Sequence, residues 1–96
     1  MVAVGVVVEL KVIADESIPE EVVKRLKLCG VDIEHQRGKY GDASVVEVAR
    51  QKRAYLLTRI RRFQWMYDKI ILVKEITTNK MFAEALRAIK SIEGAK

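Results

Sequence analysis

The sequence predicts an α/β domain, a small three-layer sandwich around a central, mostly parallel four-stranded sheet. Three observations predict it. Apolar, β-branched runs alternate along the chain with segments of helical period, the pattern of strand–helix–strand crossovers. Two of those runs, residues 54–57 and 70–73, are apolar without interruption, as strands buried on both faces of a parallel sheet must be. The 96 residues, half of them hydrophobic, are enough for one core and one domain but too few for a second.

Taken in order, residues 6–14 read as a first strand, exposed where Glu9 and Lys11 interrupt the apolar residues and buried by its end. The strand stops at Asp15-Glu16-Ser17. Ser17 is the expected cap of a helix over residues 18–29, Pro19 suits its first turn, and Glu20 and Glu21 favour the positive end of its dipole. Ile18, Val22, Val23, Leu26 and Cys29 fall on one face, so Cys29 is expected to be buried, and Gly30 ends the helix. Residues 31–35 alternate as a second strand. After a loop over residues 38–41, Asp42 is the expected cap of a helix over residues 43–52 that turns Val45, Val46, Val48 and Ala49 inward.

The third strand, residues 54–57, ends abruptly at Thr58-Arg59-Ile60-Arg61-Arg62, and an aromatic connector of Phe63, Trp65, Met66 and Tyr67 leads to a fourth strand over residues 69–74. Thr78 or Asn79 caps the last helix, whose stripe runs through Met81, Phe82, Ala85, Leu86, Ala88, Ile89 and Ile92. Parallel pairing with right-handed crossovers, the second strand on one side of the first and the third on the other, gives the order 2-1-3-4. Ligands of such sheets bind at the carboxyl ends of the strands, beside the switch point. Asp15, Glu16 and Asp42 then face the Thr58–Arg62 loop. Clustered carboxylates beside a crevice are what Mg²⁺ or Mn²⁺ requires, since hard cations take oxygen ligands.

Composition narrows the setting. Residues 1–49 carry six Lys/Arg against nine Asp/Glu, and residues 50–96 carry twelve against four, so the net +5 resides in the second half. The single cysteine forms no internal disulfide, which points to a reducing cytoplasm. The apolar start is far shorter than the roughly 20 residues that cross a bilayer and has no basic leader, so no membrane association is expected. As an open strand edge, the Val-rich amino terminus is a candidate homodimer contact. No glycine-rich phosphate loop or nucleophile motif is present, and His35 has no second His or Cys at a zinc-like spacing.

The motifs Ala14-Asp15-Glu16, the Pro-containing helix from Pro19 to Gly30, and Asp42 followed by Glu47-Val48-Ala49-Arg50 and Arg53-Ala54-Tyr55-Leu56-Leu57-Thr58-Arg59 carry a resemblance. Their order and spacing resemble the small PIN-like nuclease domains of the DUF5615 and Mut7-C groups. The likeness covers about residues 11–75 and needs no gap from Asp42 to Phe63. It implies a PIN-like fold, a metal-dependent single-strand ribonuclease, Asp15, Glu16 and Asp42 as catalytic residues, and Asp15 and Asp42 as ligands of Mg²⁺ or Mn²⁺. Where those families place two later aspartates, this chain has Ile60 and Arg62. An isoleucine cannot ligate a cation, and an arginine beside Asp15 and Asp42 neutralises them in place of one. The expectation is a degenerate member with weak or absent catalysis that binds RNA or a protein. The alternative is an active endoribonuclease, with Asp68 replacing a lost ligand, in the role of the toxin of a toxin–antitoxin pair with a small antitoxin-like partner.

The basic segment supports the RNA side of that expectation. Residues 50–69 hold seven Lys/Arg against Asp68 alone, interleaved with Phe63, Trp65 and Tyr67. Cations neutralise phosphates while aromatic faces stack on unpaired bases, which holds a single strand without reading its sequence. Thr58, Arg59, Arg61, Arg62 and Trp65 are the expected nucleic-acid contacts, with single-stranded RNA as partner.

Overall fold

A computed structural model of the chain describes residues 10–37 and 41–94. The Val-rich amino terminus, with the proposed edge contact and the start of the first strand, lies outside the described residues. Eight elements follow one another: β1 (Lys11–Asp15), α1 (Glu20–Leu28), β2 (Asp32–Gln36), α2 (Gly41–Gln51), β3 (Tyr55–Thr58), a 3₁₀ helix (Arg61–Trp65), β4 (Ile70–Leu72) and α3 (Thr78–Gly94). The sheet has the order β2-β1-β3-β4, and every pairing is parallel. This is the α/β architecture and strand order read from the sequence. No helix among the described residues is long and apolar enough to cross a membrane.

Alternation along the strands divides the core. Val12, Ala14, Ile33, Leu57 and Ile71 point to the face covered by α1 and α3 through Val22, Val23, Leu26, Met81, Ala85 and Ile89. Ile13 and Leu56 point the other way, onto Val45, Val46 and Ala49 of α2 and onto Phe63. Burial of both faces accounts for the uninterrupted apolar runs. Three layers result.

Helix ends depart from the sequence reading in four places. Ser17 does not cap α1: Pro19 takes that position with extended backbone and no side-chain bond, and the Ser17 hydroxyl turns into the crevice. Asp42 lies inside the first turn of α2. Thr77, one residue earlier than expected, caps α3, its hydroxyl accepting the Lys80 N–H at 3.3 Å. Cys29 is exposed. It is the C-cap of α1, where the Gly30 N–H donates to the Lys27 carbonyl and the Val31 N–H to the Leu26 carbonyl, and Gly30 takes φ +88°.

Candidate functional site

The carboxyl ends of β1 and β3 are neighbours because the strands pair through Val12–Tyr55, Ile13–Leu56 and Ala14–Leu57. Asp15 and Thr58 therefore finish adjacent strands, and both are buried. Ser17 joins them. Its hydroxyl donates to Asp15 Oδ1 and accepts the Arg59 backbone N–H at 3.0 Å. With its only proton given to Asp15, the 3.4 Å contact to Thr58 Oγ1 has the threonine as donor, and that oxygen in turn accepts the Ile60 N–H at 3.0 Å. A network of five polar groups thus fixes the point where β3 turns into its arginine loop. Thr58 is part of this scaffold and has no surface to offer a nucleic acid.

Past that knot, the loop separates two clefts of opposite character. The smaller is lined by Asp15, Glu16, Gly41, Asp42, Val45, Ile60, Arg62 and Phe63. Within it the Arg62 guanidinium donates to Asp42 Oδ2 in a charge-assisted pair. The pairing raises the Arg62 pKa, first through the hydrogen bond and charge of Asp42 and then through the more distant charge of Asp15. The loop cation thus pairs with the α2 carboxylate and feels that of β1 only at longer range.

The larger cleft, of about 590 Å³, is lined by Arg59, Arg61, Gln64, Leu72, Val73 and Lys74. No carboxylate among the described residues lines it. Val73 reaches it because its N–H continues the sheet to the Thr58 carbonyl at 2.9 Å, which brings the end of β4 beside the arginine loop. Arg59, Arg61 and Lys74 are exposed, and none of them is within ion-pair distance of a carboxylate among the described residues. Lys11, Lys24, Arg25, Arg37, Arg50, Lys52 and Arg62 all are.

Set against models of known protein families, curated proteins and solved structures, the chain matches none of them. The site is therefore judged on its own chemistry.

A divalent cation does not fit the acidic cleft as built. Ile60 is part of its wall, Arg62 engages Asp42, and one oxygen of Asp15 is held by Ser17. Among the described residues no three His, Cys, Asp or Glu side chains converge as a metal site needs. Asp68 is not a substitute ligand. It precedes β4 in a parallel sheet and so belongs to the amino-terminal edge, where the neighbouring Lys69 carbonyl accepts from Leu56, whereas Asp15 ends β1 at the opposite edge.

Of the expected nucleic-acid contacts, Arg59 and Arg61 line the open cleft and Arg62 is engaged by Asp42. Trp65 is 87 % exposed on the same connector but does not line the cleft. Sequence reasoning missed Gln64 and Lys74. The signal was present, because the order 2-1-3-4 puts the residue after β4 beside the loop after β3, and Gln64 stands one helical turn beyond Arg61.

Proposed function

We propose that this chain is a PIN-like domain that has lost metal-dependent catalysis and binds single-stranded RNA through the cationic cleft at the carboxyl end of its sheet. The single observation that carries the reading is the division of charge across the loop after β3. On one side a guanidinium already engages the acidic cleft, and on the other Arg59, Arg61 and Lys74 line an open cleft with no carboxylate among the described residues. Unpaired cations beside one another are costly to hold together unless an anion neutralises them, and phosphates do so with release of counterions. The exposed indole of Trp65 adds a face on which an unpaired base can stack. Kinship with the PIN-like nucleases rests on the motifs from Ala14 to Phe63 and would account for the position of Asp15, Glu16 and Asp42 and for an arginine, Arg62, beside Asp42 where those families place an aspartate.

Two assays test the proposal. With Mn²⁺ and single-stranded RNA the protein is expected to give no cleavage above that of an Asp15→Asn variant. In a titration against the same RNA, affinity is expected to fall with log salt at a slope of about −2, the value for three phosphate contacts on a single strand. Metal-dependent cleavage abolished by Asp15→Asn overturns the loss of catalysis, and salt-insensitive affinity overturns the phosphate contacts.

A further inference from the structure

We infer that the cationic cleft holds the end of an RNA strand, taking a terminal phosphomonoester together with the first phosphodiester, and does not form part of a continuous track along the strand. This deepens the RNA-binding reading and rests on it. The layout of charge is the reason. Arg59, Arg61 and Lys74 come from the ends of two neighbouring strands and line one cleft. The remaining free cations of the basic segment do not extend them: Arg53 leads into β3 and Lys69 leads into β4, which puts both at the opposite edge of the parallel sheet.

The cleft is also bounded by acid on both flanks. On one side, across the arginine loop, stand Asp15, Glu16 and Asp42, three carboxylates against the one guanidinium of Arg62 that pairs with Asp42. On the other, the Glu84 carboxylate accepts the backbone N–H groups of Lys74 and Glu75 at 2.9 and 3.0 Å, so a carboxylate sits directly behind the lysine. A polyanion laid through the cleft would meet repulsion as it left on either side, whereas one that ends there meets it on one side at most.

Charge matching leads to the same ligand. An internal phosphodiester carries one negative charge, and a terminal monoester carries close to two at neutral pH, with a second pKa near 6. A monoester with the adjoining diester therefore brings about three charges to three cations. Gln64 adds an amide donor, and the half-buried side chain of Leu72 gives the terminal base or sugar an apolar surface to lie against.

The test compares three forms of one internally fluorescein-labelled single-stranded octanucleotide by anisotropy, 5′-phosphate, 3′-phosphate and both ends hydroxyl, with the two phosphorylated forms at pH 5.5 as well as 7.5. One phosphorylated form is expected to bind about tenfold tighter than the hydroxyl form, as charge-assisted contacts to a second negative charge require. The advantage is expected to shrink at pH 5.5, as the monoester takes up a proton, and to vanish in Arg59→Gln and Lys74→Gln variants of unchanged circular dichroism. Preference for either end supports the inference and identifies the end. Equal binding of all forms overturns it while leaving RNA binding standing, and so does a preference that survives both substitutions. Absence of binding by every form overturns both this inference and the RNA-binding reading.

Discussion

Ser17 carries more of the site than its size suggests. One hydroxyl donates to the buried Asp15 carboxylate, accepts from the backbone of Arg59 and meets the Thr58 hydroxyl, so the ends of β1 and β3 share a fixed geometry. Ser17→Ala leaves these groups without a common partner where water has little access, and the expected cost is about 1–2 kcal/mol in urea unfolding. A loss below about 0.3 kcal/mol would mean that the knot does not hold the loop. The sequence points to the acidic residues and the arginines of this region but not to Ser17, for a definite reason. A serine two residues before a proline at the start of a helix satisfies every rule for a cap, and only the extended backbone of Pro19 moves the helix start past it. Arg53 was hidden in a similar way. It follows α2 in the turn that closes the helix, in the left-handed conformation, φ 53°, that a glycine would have announced.

At the scale of elements, the connector between β3 and β4 separates packing from exposure within three residues. The 3₁₀ turn buries Phe63 beneath α2 and leaves Trp65 in solvent. Tyr67 then anchors the return, its hydroxyl donating to the Ala54 carbonyl at 2.6 Å, and burial pushes its pKa up. Phe63→Ala is expected to cost about 3–5 kcal/mol, whereas Trp65→Ala should fall within about 0.5 kcal/mol in stability while weakening RNA binding. Thermal unfolding of the two variants checks the first claim and an RNA titration the second. A stability loss at Trp65 comparable to that at Phe63 would make the indole part of the core. Both aromatics were visible in the sequence as one basic-aromatic segment, but a 3₁₀ turn has no strong sequence period, so which ring faced inward was not legible.

For the whole molecule, parallel topology converts a sequence asymmetry into a site. The acidic first half ends β1 at Asp15 and opens α2 at Asp42, and the basic second half ends β3 and β4 at Arg59 and Lys74, so all four meet at one edge of the sheet. The strand order was legible because two apolar runs and the crossover rule leave few alternatives. The division into two clefts was not, since it depends on Arg62 engaging Asp42.

Elsewhere the ion pairs are peripheral. Glu34 is held below its ordinary 4.5 by a hydrogen bond from Lys52, and Glu20 by one from Arg37. A carboxylate with a depressed folded value adds stability that is fully present above 4.5 and is lost as pH falls through the folded value. The urea midpoint is therefore expected to be flat from about pH 7 to 5 and to decline below 4.5, less steeply in Lys52→Met; a decline already under way at pH 6 would contradict a carboxylate origin.

The most direct test of the cationic cleft is a ¹H–¹⁵N titration of the labelled protein with single-stranded RNA. The backbone amides of Arg59, Arg61, Gln64 and Lys74 are expected to shift together and saturably, with those of Lys52, Arg53 and Lys69 at the opposite edge unmoved. Shifts confined to that opposite edge, or none at any RNA concentration, would contradict the assignment of function to this end of the sheet.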